Sequence, residues 1–267
     1  MFDKQRRKIL IVTKTYPSIS TKYKETVCTA GMLLDDEEKP LGWIRIYPIR
    51  FRKLDFDKRY PRWSIISAEI WRDERDSRKE SHKIEDQSIQ LIRKIDTQDA
   101  WQERKSFILP FLDQSIKQIQ SENRSLGLLK PKQIKKFYIK ETTRAWSERQ
   151  QGVLDQYDLL EKPVDLEKIP YQFGYEFIDE DDFSHKFSIN DWEIAQLYRQ
   201  CRDRSRKIGL EAEQEALVKV KAKLEGDFLK NKDLYFFVGN QKRFKNFMTI
   251  GLIYPPKVKT KQLSFDL

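Results

Sequence analysis

Apolar residues recur with a period of two near both ends of this chain and with helical spacing between them. That order constrains the fold more than any other feature. Lys8-Ile9-Leu10-Ile11-Val12-Thr13 is a short run rich in β-branched residues, and Thr26 to Leu34 is a second. After the acidic turn Asp35 to Pro40, Trp43-Ile44-Arg45-Ile46-Tyr47 alternates cleanly and is stopped by Pro48, which cannot donate to a ladder. Ser64 to Trp71 is a fourth candidate strand. Four strands joined by turns predict a mostly antiparallel, barrel-like sheet. Near the other end, Leu234–Val238 and Phe247–Tyr254 flank the polar loop Gly239 to Asn246. They predict a hairpin that is placed to complete the first sheet.

The middle reads differently. Ile84 to Ile95 and Asp99 to Asn123 carry apolar residues at helical spacings, with Pro110 splitting the second stretch. Lys135–Lys140 and Tyr171–Ile178 read as strands, with Lys186–Ile189 placed to pair with the latter. Asn190-Asp191-Trp192-Glu193 fits a capping box, in which Asn190 caps the first turn of a helix running through Cys201. A second helix is predicted from Leu210 to Leu229. The expected fold class is therefore α+β. Residues 1–83 form a strand-rich basic domain, 84–230 a mainly helical insertion or second lobe, and 231–267 a hairpin and tail that return to the first domain.

Composition excludes several classes. No stretch approaches the roughly 20 apolar residues that a membrane-spanning helix needs, and the start has no signal-peptide pattern, so the expected compartment is cytoplasmic with no membrane partner. Cys28 and Cys201 are too few for a disulfide framework or a cysteine zinc site, and both read as small hydrophobes in the core. Walker A, GxGxxG, GxSxG and HExxH patterns are all absent. No cofactor is expected.

Charge is unevenly spread. The chain carries a net +10. Residues 1–63 hold +7, 130–149 hold +5 and 194–261 hold +9, whereas 150–193 hold −9. A field of this kind attracts polyanions, unless the acidic block folds against the basic ones.

The densest chemical signal lies between Trp43 and Arg62. Ile44 and Ile46 share one face of their strand, and Trp43, Arg45 and Tyr47 share the other. Flat rings beside a guanidinium suit base stacking and phosphate contact. Arg50, Arg52, Lys53, Arg59 and Arg62 continue the cationic run, interleaved with Phe51, Phe56, Tyr60 and Trp63. The competing reading makes the rings core anchors and the cations a solvated rim. Lys242, Arg243 and Lys245 in the hairpin loop, and Lys22 and Lys24 in an early loop, are further backbone-contact candidates. Lys130, Lys132, Lys135 and Lys136 form a third basic stretch.

The expectation is thus a DNA- or RNA-binding protein that uses a basic surface interleaved with aromatic rings. One alternative is a metal-dependent nuclease holding Mg²⁺ or Mn²⁺ on Asp181, Asp182, His185 and Asp191, or a phosphodiester site on Asp73, Asp76 and Glu80. Another is a non-enzymatic adaptor among the protein subunits of a larger complex. The alternating charges from Arg72 to His82 otherwise read as a solvated loop.

Overall fold

The computed structural model describes residues 3–20, 24–155, 166–241 and 244–258. Along the chain run β1 (Gln5–Lys14), β2 (Ser18–Ser20), β3 (Lys24–Leu34), β4 (Pro40–Ile49), β5 (Ser64–Arg72), β6 (Ser81–Ile84) and β7 (Gln90–Lys94). Next come α1 (Gln98–Ile108), β8 (Leu112–Asp113), α2 (Ile116–Ser121), β9 (Leu126–Leu129), β10 (Gln133–Glu141) and α3 (Glu148–Leu154). The chain finishes with β11 (Tyr171–Ile178), β12 (Ser184–Ser188), α4 (Trp192–Asp203), α5 (Gly209–Lys221), α6 (Phe228–Asn231), β13 (Tyr235–Gln241) and β14 (Phe244–Ile253). The fold is α+β, as the periodicities predict.

Five pairings among the first six strands close a barrel. β1 pairs with both β3 and β5, and β3–β4, β4–β6 and β6–β5 complete the ring. Its interior is filled by one set of alternating residues, among them Ile9, Ile11, Ile44, Ile46, Ile66 and Ile70. Closure removes the edges that an open sheet would expose.

The C-terminal hairpin does not complete this barrel. β13 and β14 pair with each other, and β13 pairs with β9, giving a separate four-stranded sheet in the order β14-β13-β9-β8. Both faces of that sheet are covered. Tyr235, Phe237 and Ile250 pack onto the outer wall of the barrel with Leu10, Val12, Met32 and Trp43. Phe236, Val238 and Leu252 face the opposite way, toward Tyr175, Phe177, Tyr198 and Leu224. A strand buried on both sides reads as a continuous apolar run, which is why Leu234 to Val238 lacks a polar face. The sheet is the middle layer between the barrel and the α4–α5 lobe.

Three local expectations change. The stretch Ile84 to Ile95 is not a helix: it supplies β6 and β7, which pair with β5. Its apolar spacing fits either period, and pairing with β5 decides the matter. β4 runs through Pro48 to Ile49, with a cis Tyr47–Pro48 peptide bond. The N-cap of α4 is Asp191 rather than Asn190, its carboxylate accepting from the Glu193 N–H at 2.9 Å. The helix predicted from Leu210 to Leu229 forms as α5, a π-helical stretch over Ala222–Asp227, and α6.

Candidate nucleic-acid interface

The alternation of β4 is as expected, but its second face is not open. Trp43 is only 8% exposed and lies 4.6 Å from the Phe237 ring. Arg45 is 4% exposed. Its guanidinium donates to the Asn240 carbonyl at 3.1 Å and to the Ser125 carbonyl and hydroxyl at 3.0 and 3.1 Å. Ser125 in turn donates through its N–H and hydroxyl to Glu80, at 2.7 and 2.8 Å. Trp43 and Arg45 are therefore corrected from surface contacts to interior links: the four-stranded sheet sits on the face that β4 presents outward. Tyr47, at the end of the strand, does reach the surface.

Part of the charged segment after β5 is likewise interior. Asp76 and Glu80 are 4% and 7% exposed, and Arg78 pairs with Asp76 at 2.6 Å while donating to the Asn240 carbonyl. Burial pushes the Asp76 carboxyl up, but hydrogen bonds from the Arg78 backbone and guanidinium outweigh it and bring it down to about 2. The expected solvated loop holds for Glu74, Arg75, Ser77 and Lys79, which are exposed, but Asp76 and Glu80 belong to a buried polar seam. Its carboxylates are occupied by these donors and do not form an open phosphodiester site.

Arg62 is the third correction. It is 6% exposed, and its guanidinium donates to the carbonyls of Val12 and Leu252 and to the carboxylates of Asp191 and Glu193. One side chain thus ties β1, β14 and the start of α4 together. Asp191 also accepts from the Leu252 N–H at 2.9 Å.

The remaining loop residues stay near the surface. Arg50, Arg52 and Arg59 are exposed, and Lys53 and Lys24 are half-buried. Arg52 pairs with Glu25 at 2.9 Å, and Arg59 donates to the Leu54 and Arg52 carbonyls. Lys22, Lys242 and Arg243 lie outside the described residues, and Lys245 lies in β14.

The acidic candidates do not converge. Asp181 accepts from the Ser115 hydroxyl, Asp182 pairs with Lys132, His185 contacts Asp179, and Asp191 caps α4. Among the described residues no three His, Cys, Asp or Glu side chains gather to hold a metal ion. Each of these groups is taken up by its own turn or by a cation, which corrects the expected Mg²⁺ or Mn²⁺ set. The acidic block also neutralises other cations: Glu167 pairs with Arg199 and Arg202.

Another cationic, ring-bearing surface lies on a different element. β10, β11 and β12 form a three-stranded antiparallel sheet. Its inner face carries Phe137, Phe173, Tyr175 and Phe177 into the core. The register Lys136↔Glu176↔Lys186, Tyr138↔Gly174↔Ser188 and Lys140↔Gln172 defines the outer face. Tyr138 lies across Gly174, where a Cβ would overlap its phenol ring, so only glycine admits the ring at that point. Lys186 holds its ammonium 4.8 Å from the Tyr138 ring centre and pairs with Glu176 at 2.7 Å. Lys136 and Lys140 are exposed and have no carboxylate partner among the described residues. Sequence reading recognised β10 as a strand and Lys135–Lys136 as basic, yet missed this face. The signal was the period-two set Lys136, Tyr138, Lys140, read together with the Gly174 gap opposite.

These features define an α+β protein in which a small closed barrel is joined through a central sheet to a helical lobe with one open, cationic sheet face. The chain belongs to the family of domains of unknown function DUF8757, which matches residues 112–267; residues 5–110 match a second domain of unknown function, DUF8758. No curated protein matches. Among solved structures, the tetrameric p202 HIN2 is similar over 97% of this chain and 96% of its own, at 9% identity and a TM-score of 0.31. Likeness at that level carries no functional argument. No helix among the described residues is long and apolar enough to cross a membrane.

Proposed function

We propose that this protein binds single-stranded nucleic acid across the outer face of the β10–β11–β12 sheet. The observation that carries the reading is the Tyr138 ring seated on Gly174 and flanked by Lys136, Lys140 and Lys186. A flat, solvated sheet face with a ring among ammonium groups suits unpaired bases, because a base stacks on the ring while its phosphates meet the lysines. Lys186 covers the ring in the free protein. Displacing it costs about 0.5–1 kcal/mol for an exposed cation–π contact, against about 1–3 kcal/mol gained per stacked base. Stacking wins, and the released ammonium becomes a phosphate contact. Tyr47, Arg50, Arg52, Lys53 and Arg59 remain in the reading as a second, separate contact surface.

Binding of labelled oligonucleotides at two salt concentrations tests this. Affinity should fall with salt, with a log–log slope of about −0.7 per phosphate contact on a single strand. Lys136→Ala/Lys140→Ala should reduce that slope by about one to two contacts. Tyr138→Ala should cost about 1–3 kcal/mol at all salt concentrations, and Tyr138→Phe should keep most of the affinity. Undetectable binding of both DNA and RNA at low salt would end the proposal.

A further inference from the structure

A cleft of about 550 Å³ opens where α4 meets the barrel. Lys14, Phe51 and Arg62 line it from the barrel side, Trp192 and Glu193 from α4, and Lys223 and Phe228 from the segment after α5. Its volume lies within the ordinary range for small-ligand sites.

The charges in this cleft are unequally satisfied. Arg62 is held by Asp191 and Glu193, and Lys223 pairs with Asp227 at 2.6 Å. Lys14 is half-buried and has no carboxylate within ion-pair distance among the described residues. It donates once, to the Tyr60 carbonyl at 2.9 Å, and its ammonium stands 3.9 Å from the Phe51 ring centre and 5.7 Å from that of Trp192. Burial pushes this amine down to about 8, although Glu193 and Asp191 pull it up. A desolvated cation with donors to spare is costly to keep and is relieved by an anion. The wall beside it is aromatic: Phe51 and Trp192 meet edge to face at 5.6 Å, while Phe228 is buried and stacks on Tyr254 at 4.3 Å.

We propose that the cleft binds a nucleoside monophosphate group, its phosphate on the Lys14 ammonium and its planar ring against Trp192. Both halves of the ligand are needed, since the site offers one unpaired cation and an apolar, aromatic wall. The same chemistry arrives either as a free nucleotide or as the phosphorylated end of a nucleic-acid strand. The proposal does not depend on the sheet-face reading: Lys136 and Lys140 do not line the cleft, and the Lys14 and Trp192 variants below leave them intact.

Calorimetric titration of the whole protein separates the outcomes. Nucleoside monophosphates should bind saturably, and the matching nucleosides at least about tenfold more weakly, as expected for loss of a charge-assisted hydrogen bond. Lys14→Met should weaken monophosphate binding by about tenfold or more, Lys14→Arg should retain it, and Lys136→Ala/Lys140→Ala should leave it unchanged. Trp192→Ala should weaken nucleotide and nucleoside alike. Thermal unfolding of each variant checks that it is folded. Binding should also fall about tenfold from pH 7 to pH 9 as Lys14 loses its proton. Arg62, Asp191, Glu193 and Lys223 also line the cleft, and burial raises the Tyr60 and Tyr254 hydroxyls above that range. A free monophosphate that binds as well as a phosphorylated oligonucleotide assigns a nucleotide ligand. Preference for the phosphorylated oligonucleotide over its unphosphorylated form, with weak free monophosphate binding, assigns a strand end. Equal binding of nucleoside and monophosphate, inorganic phosphate binding as tightly as the nucleotide, full binding by folded Lys14→Met, or no saturation by any of these at millimolar concentration would each overturn the proposal.

Discussion

β4 and β10 carry nearly the same pattern and come to opposite ends. β4 places Trp43, Arg45 and Tyr47 on one face, and β10 places Lys136, Tyr138 and Lys140 on one face. In both strands rings and cations alternate with core aliphatics or aromatics. On β4 the cationic face meets the four-stranded sheet, so Arg45 becomes a buried cross-link and Trp43 a packing anchor. On β10 nothing among the described residues covers the corresponding face, and the lysines stand in solvent. A mixed ring–cation face is thus a statement about amphipathic side chains, which serve a buried polar seam and an open binding surface equally well. Whether a second layer covers that face decides between them.

The comparison breaks most visibly in stability. Arg62→Ala should cost about 3–5 kcal/mol, because Asp191 would be left buried without its cation. Denaturant unfolding measures this, and a loss below about 1 kcal/mol would mean that the carboxylate is not held as described. Trp43→Ala should cost a similar ~3–5 kcal/mol through the cavity left against Phe237 and Phe111, whereas Tyr138→Ala on the open face should cost far less. Equal losses at the two rings would erase the distinction between the strands.

A smaller effect has a pH signature. The folded Asp76 carboxyl lies near 2, below its ordinary 3.8. Its contribution of about 2 kcal/mol is present above the unfolded value and is lost as pH falls through the folded one. Asp76→Asn should therefore be destabilised at neutral pH and converge on the parent protein near pH 2. A gap that stays constant with pH would argue against a charged, buried Asp76. Smallest of all, Lys136→Ala/Lys140→Ala should stay within about 0.5 kcal/mol of the parent, as exposed substitutions do, while weakening nucleic-acid binding.

Much of the architecture was legible beforehand. The barrel strands, the hairpin, β11 and the two long C-terminal helices follow from period-two and helical spacing. The stretch Ile84 to Ile95 did not, because five apolar residues in twelve satisfy both periods and only the pairing of β6 and β7 with β5 selects the strand. The site was less legible. Arg62 reads as one more cation in a basic run, and nothing local in the sequence shows that Asp191 and Glu193, about 130 positions away, close around it.

Local patterning is a property of neighbouring residues: it fixed which side chains share a face of β4 or β10, and which residues start and stop the helices. Coverage is a property of contacts between distant segments, and the closing of the barrel by β1–β5, the placing of β13 and β14 on its outer wall, and the gathering of Lys14, Trp192 and Phe228 into one cleft belong to the folded chain alone. Side-chain periodicity repeats every two or three and a half residues, so it carries no information about what lies above a face once the chain has turned back on itself.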